Sequence, residues 1–309
     1  MLVLGIDVGG TNIRFGVFDG KQLVATTRLE ANLSQTCRAV SAESAALEVV
    51  RILFTGIVSC IEKYPDIKAV GIGFPGFIHP DSKKIIQSPN LPGLSYFDLR
   101  GELATILGLP VTIENDANAA AYGEYCLADK PEGGLIYLGL GTGVGGGLIV
   151  DGKLYTGQHG FAMEIGHVIT EPDGRQCGCG NKGCMEQYAS ASGVAMNYYK
   201  VTKQQLTAHK IAELAKSGDK AAIEAYEIAA NALAQALASI AKVLDVKNVV
   251  IGGGMTAAWP LMQQAFKTRL DADLIPAFRG HIQVKISTAE DAAGMLGAAM
   301  LSTSLLVSS

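Results

Sequence analysis

The chain lacks a basic surplus. Lys and Arg total 25 against 29 Asp and Glu, a formal net charge of −4 over 309 residues. A nucleic-acid partner calls for a concentrated positive field, so this balance argues against one. The opening MLVLGI has no basic n-region before Asp7, so no signal peptide is expected and the reading places the protein in the cytoplasm. A disulfide framework is also missing: six Cys in a cytosolic chain of this length do not make one. No Gly-Lys-Ser/Thr follows any Gly cluster, which excludes a Walker loop, and no Cys-x-x-Cys pair opens a helix, which argues against a redox centre. Residues 292–309 carry no charge at all. They are Ala/Gly/Ser-rich and weakly apolar, which favours a buried terminal helix over a membrane anchor.

The rest of the composition is that of an ordered α/β protein, with 49% apolar residues, 17% charged residues and 37 Gly. Residues 2–8 predict a strand, GGTN a tight turn and IRFGVFD a second strand, with QLVATTRLE as a third. Residues 42–63 hold apolar side chains at helical spacing. A buried strand over 68–76, a helix and strand within 99–115 and a helix from Ala117 complete a first α/β unit. A second begins near 133, with two strands hinged on a Gly-rich turn, Ala-rich helices near 206–216 and 219–244, and strands near 248–256 and 283–288. The turns Val8-Gly9-Gly10-Thr11 and Gly141-Thr142-Gly143-Val144 occupy analogous places, a sign of duplicated domains with a boundary near 116–133.

Each Gly cluster alone is readable as a tight turn. Three of them, each behind an apolar strand, suit backbone amides approaching a polyphosphate, with Thr hydroxyls as further donors. Asp7, ending the first strand, is placed to face Mg²⁺ through water. In ENDANAAAYGEY (114–125) a strand ends on Asn115-Asp116 and a helix starts at once. Helix capping by Asp116 or Asn118 is one reading. A general base accepting an alcohol proton during phosphoryl transfer is the other.

Residues 164–187, EIGHVITEPDGRQCGCGNKGCMEQ, need a different explanation. Cys177, Cys179 and Cys184 with His167 form a Cys₃His set, the closed donor group of structural zinc. Three thiolates and a neutral imidazole leave no open position for chemistry. Cys37, Cys60 and Cys126 stand alone and read as packing residues.

Taken together, GIDVGGTNIRFGVFD, GIGFPG, ENDANAAA, LGTGVGGG, EIGH, CGCGNKGCME and VVIGGG resemble the ROK family of bacterial sugar kinases and repressors. The resemblance implies an actin/hexokinase-like (ribonuclease H-like) fold of two α/β domains with ATP and a sugar meeting in a central cleft. The first domain would cover 1–116, with a C-terminal helix of about 291–307 packing back on it, and the second 117–290, carrying the zinc loop. It implies an ATP-dependent kinase acting on the 6-hydroxyl of a hexose, glucose first, with N-acetylglucosamine, N-acetylmannosamine, allose or fructose as alternatives. A sugar-sensing regulator is the non-enzyme alternative, disfavoured because no basic recognition helix is visible. Asp116 resembles the base; Asn90, Asn115, Glu164, His167 and Glu186 resemble the residues that hold sugar hydroxyls. Asp7, Gly9, Gly10, Thr11, Asn12, Gly141, Thr142, Gly143, Gly253 and Gly254 would take ATP and Mg²⁺, and His167, Cys177, Cys179 and Cys184 the structural Zn²⁺. A homodimer or homotetramer is implied. Clipping the loop would fix Glu164 and Glu186 for the sugar, so metal loss is expected to weaken sugar binding and to change ATP binding much less. Met163 departs from the family, which usually has Gly before this Glu, and puts the borrowed sugar specificity in doubt.

Overall fold

A computed structural model describes residues 1–289 and 292–307; Asp291, Ser308 and Ser309, which the terminal readings touch, lie outside the described residues. The chain opens with β1 (Leu2–Val8), β2 (Asn12–Asp19), β3 (Gln22–Glu30), α1 (Leu33–Ala39) and α2 (Ala42–Lys63). It continues through β4 (Ile67–Phe74), β5 (Phe77–Ile78), β6 (Ile85–Gln87), β7 (Ser95–Phe97), α3 (Leu99–Leu107), β8 (Val111–Asn115) and α4 (Asp116–Leu127). Then come β9 (Leu135–Leu140), β10 (Val144–Val150), β11 (Lys153–Leu154), α5 (Glu186–Ala189), α6 (Ala191–Thr202), α7 (Ala208–Lys216) and α8 (Lys220–Leu244). β12 (Asn248–Gly252), α9 (Trp259–Asp273), β13 (Gln283–Ile286) and α10 (Ala292–Val307) complete it.

Two five-stranded sheets run β3-β2-β1-β4-β8 and β11-β10-β9-β12-β13, and a small sheet runs β5-β6-β7. The two large sheets are equivalent strand for strand. In each, a meander of consecutive strands is followed by two parallel neighbours, β1–β4–β8 and β9–β12–β13. The chain divides into two compact units. One comprises Met1–Glu132, Gly147–Ala162 and α10; the other comprises Gly133–Gly146 and the chain from Met163 to the loop before α10.

In the first unit the strand period of two sorts the core. Leu4, Ile6 and Val8 of β1 join Val49, Leu53 and Ile57 of α2 in one cluster. Val3 turns the other way, to Ala69, Met295, Leu296 and Ala299. Helix α2 starts where the Ser41 hydroxyl accepts the Ser44 N–H, and its buried residues recur at helical spacing. α2 and α8 have the length and apolar content of membrane spans. Both are amphipathic core helices here, α8 burying an Ala-rich stripe from Ala222 to Ala241.

The uncharged helix α10 explains itself by contact. A Cβ at Gly5 or Gly71 would land on the carbonyls of Met295 or Ala298, and one at Gly297 on that of Ala119. Sheet and helix therefore meet backbone to backbone, a distance that only small residues permit. Its composition matches a protein surface, not lipid.

Candidate active site

The carboxyl ends of β1, β4 and β8 carry the first group of candidate residues. Asp7 is in register with Gly73, and Gly73 with Glu114. At normal strand spacing Asp7 and Glu114 stand about 10 Å apart. A Cβ at Gly73 would lie 3.2 Å from the Ala119 Cβ and 3.6 Å from the Asp116 Cα, so the start of α4 packs close against this strand end. Ligands of open α/β sheets bind at such strand ends.

Helix α4 begins on Asp116, but its cap is Asn115, whose side-chain oxygen accepts the Asn118 N–H at 3.0 Å. Asp116, the first residue of the helix, places Oδ1 on the Ala117 N–H at 2.9 Å, so one carboxylate oxygen serves the helix start. The Asn115 amide also donates to the Gly76 carbonyl at 3.1 Å, tying β8 to the Pro75-Gly76 turn after β4. Asn90 is exposed on the loop after β6, where its carbonyl accepts from the Ser34 hydroxyl at 3.0 Å.

Behind Asp116 lies a buried polar knot that sequence reasoning missed. Glu114 is 4% exposed. Its Oε1 accepts from the Asn115 N–H at 3.0 Å and from the Asn118 amide at 3.1 Å, while its Oε2 pairs with Lys83 Nζ at 2.7 Å. Lys83 belongs to the turn between β5 and β6, distant in sequence, so nothing local announced the pair.

The turn after β1 closes through Gly9 N–H on the Asn12 carbonyl at 2.8 Å. The amides of Gly10 and Thr11 donate to no protein group among the described residues. Asp7 faces Arg14 at 3.2 Å across the hairpin. That partner was legible, since the two are symmetric about the turn. A cavity of about 460 Å³ opens beside Gly10 and Thr11, lined also by Asn32, Ser34, Gln35 and Arg38. Arg38 carried no sequence signal, being one exposed cation in the last turn of α1.

In the second unit the Gly141–Gly143 turn repeats this pattern. Gly141 N–H donates to the Gly143 carbonyl at 2.9 Å, and the amides of Thr142 and Gly143 are again without a protein acceptor among the described residues. Gly252 is in register with Gly139, so the third Gly cluster joins the second. Gly253, at φ +87°, sits against the Leu140 carbonyl, where a Cβ would collide. Gly254 then opens a short 3₁₀ turn over 254–258. Two open amides per turn form a cradle for anionic oxygen.

The metal-type cluster lies in the same unit. The donor atoms of His167, Cys177, Cys179 and Cys184 all lie within 4.8 Å of one another. Cys179 Sγ is 3.6 Å from Cys184 Sγ, and Cys177 Sγ is 3.6 Å from His167 Nδ1. Zn–S bonds of about 2.3 Å and Zn–N of about 2.0 Å in a tetrahedron give edges of about 3.5–3.8 Å, so the four donors fit zinc. The thiols differ in acidity. Burial, with the adjacent thiols, pushes Cys184 up to about 12, whereas hydrogen bonding from the Asn181 backbone lowers Cys179. Such a set becomes three thiolates when a cation holds it.

The loop is shaped for this. Gly183, at φ +76°, lies against the Glu171 carbonyl, which accepts no side chain there. Arg175 staples the loop to α5 and α6: its guanidinium donates to the Gln187 carbonyl and to Asn197 Oδ1, both at 2.6 Å, and lies 4.4 Å over the Tyr188 ring. Sequence reading passed over Arg175 because those partners lie outside its own loop. His167 turns Nε2 toward Glu164 Oε2 at 3.8 Å. Partial burial raises the Glu164 carboxyl above its ordinary range, opposed by His167 and reinforced by Glu186. Met163 has φ +65°, a left-handed conformation in which Gly is cheapest, which gives the family's usual Gly a backbone reason.

Two sheets of identical strand order, each with an anion-ready hairpin turn, define the duplicated actin/hexokinase-like fold. The chain belongs to the ROK family, whose profile matches residues 3–304. The glucokinase of Thermotoga maritima is 32% identical over 316 residues, covering 97% of this chain and 96% of that protein. The N-acetyl-D-glucosamine kinase of Shigella boydii is 34% identical over 317 residues, covering 96% of this chain and 98% of its own. A crystal structure of a ROK family glucokinase from Streptomyces griseus, in complex with glucose and AMPPNP, superposes with a TM-score of 0.82 at 31% identity. It covers 98% of this chain and all of that one.

Proposed function

We infer that this chain is an ATP-dependent hexose kinase that transfers the γ-phosphoryl group to a sugar 6-hydroxyl, with glucose as the first substrate. The observation that supports the reading is the place of Asp116, directly after β8, in the row of strand ends that also carries Asp7. In this reading Asp116 accepts the hydroxyl proton as the oxygen attacks phosphorus. The open amides of Gly10, Thr11, Thr142 and Gly143 receive phosphate oxygens, with Gly9, Asn12, Gly253 and Gly254 shaping the turns and Arg38 adding a cation. Asp7 would hold Mg²⁺ through water, and the ion would supply charge neutralisation at the phosphates.

Asn90, Asn115, Glu164, His167 and Glu186 are assigned to the sugar hydroxyls. His167 supports a double role, since one ring nitrogen faces the thiols and the other faces Glu164. Zinc, held by Cys177, Cys179, Cys184 and His167, would supply rigidity alone, because four protein donors close its coordination. Use of ATP and a reduced thiol set both fit the cytoplasm, and a homodimer or homotetramer follows the family.

N-acetylglucosamine is the second reading, favoured by the 34% identity to the Shigella boydii enzyme. A coupled ADP-release assay over glucose, N-acetylglucosamine, N-acetylmannosamine, allose and fructose decides between them. The expected result is the highest kcat/KM with glucose. Sugar-independent ATP hydrolysis, or none with any hexose, would contradict the kinase reading.

A further inference from the structure

The segment after the last zinc-type ligand grips the Gly141–Gly143 turn at three points. Two residues after Cys184, Glu186 Oε2 accepts the Val144 N–H at 2.9 Å. Ala191 N–H donates to the Gly141 carbonyl at 2.9 Å, and the Ser192 hydroxyl donates to the Thr142 carbonyl at 3.1 Å. Gly143 has no room for a Cβ because the Glu186 carboxylate occupies that place. These contacts draw both carbonyls and the Val144 amide toward residues 186–192. The amides of Thr142 and Gly143 are left without a protein acceptor among the described residues.

We propose that Glu186 is a positioning residue for this phosphate-type turn, so that the metal clip organises the nucleotide site as well as the sugar site. The expectation that metal loss would largely spare ATP rested on the turn being a separate segment. The three hydrogen bonds show that in space it is not separate. A carboxylate accepting a backbone N–H makes a charge-assisted bond, stronger than the neutral contacts beside it. It fixes the peptide plane between Gly143 and Val144 and thereby the direction of the neighbouring amides. The proposal rests on reading the turn as a phosphate site, and the experiment separates the two.

Amide hydrogen exchange over the 141–144 peptide is measured in the native enzyme and in Glu186→Ala, Glu186→Gln, Ser192→Ala and Cys179→Ser. AMPPNP affinity is measured by calorimetry without sugar. Glu186→Ala is expected to speed exchange of this peptide by roughly 10–100-fold, the scale of one lost charge-assisted bond. It should weaken AMPPNP by about tenfold by the same principle. Glu186→Gln keeps an acceptor for Val144 and should restore both readouts while still raising KM for hexose. Ser192→Ala, at an exposed position, should show a smaller change of the same sign, and Cys179→Ser should resemble Glu186→Ala. Unchanged exchange in Glu186→Ala and Ser192→Ala would overturn the proposal. Faster exchange with unchanged AMPPNP affinity would overturn the phosphate-site reading of the turn, and the functional half of the proposal with it.

Discussion

Replacing Lys83 by Met removes the positive end of the pair behind Asp116 and leaves Glu114 where it is. The Glu114 side chain is 5% exposed and that of Lys83 28%, with 2.7 Å between the charged atoms. Breaking a fully buried pair by deleting one partner costs about 3–5 kcal/mol. Lys83 retains water access, and Glu114 keeps two hydrogen bonds on its other oxygen. Those two facts bring the expected loss to about 1.5–2.5 kcal/mol. Urea unfolding of the variant should show it as a lower midpoint at constant slope. Adding Glu114→Gln removes the stranded charge and should recover at least half of the loss. Because Asn115 and Asn118 hang from the same carboxylate, the strand end also loosens. About 1 kcal/mol of that loss reaching the transition state would lower kcat about fivefold. A Lys83→Met variant within about 0.5 kcal/mol of the parent would refute the reasoning, since it would sit in the range of an ordinary surface pair.

Three further perturbations separate the parts of the site. Gly10→Val points its side chain at the Ser34 hydroxyl, a contact that a small shift relieves, and is expected to raise KM for ATP severalfold with little effect on KM for sugar. Gly143→Val instead displaces the Glu186 carboxylate and should raise both, so equal behaviour of the two variants in steady-state kinetics would count against the assignments. Native protein should contain one zinc per chain by elemental analysis, and Cys179→Ser should lose it and bind hexose at least tenfold more weakly by titration. Metal-free native protein with full sugar affinity would contradict the clip.

Much of this fold was legible because it is written in local periods. The alternation in β1 and β2, the fourfold spacing in α2 and the Ala stripe of α8 each bury a face of one element, and the sequence carries that pattern without its partner. The Cys₃His set was legible for the same reason: all four donors fall on one short stretch. The small β5-β6-β7 sheet and α1, α6 and α9 were not anticipated. Strands of two or three residues carry no period, and α9, opening on Trp259-Pro260, mixes Gln, Lys and Asp among few buried positions. Glu114, Lys83 and Arg175 were missed for a different reason. Their importance comes from burial against residues far away in sequence, and a charged residue in a sequence looks the same whether it ends in water or in a core. The sequence leaves Asp116 open between cap and base; in the fold the cap position belongs to its neighbour Asn115, while Asp116 Oδ1 accepts the Ala117 N–H, a division that no local pattern announces.

The central claim is that Asp116 is the base, and Asp116→Asn tests it most directly. The substitution keeps size and hydrogen-bonding capacity and removes basicity. With hexose affinity measured by titration and turnover by ADP release, the account predicts a fall in kcat of about 10²-fold or more with sugar affinity within a few-fold of native. Turnover near the native level would contradict it.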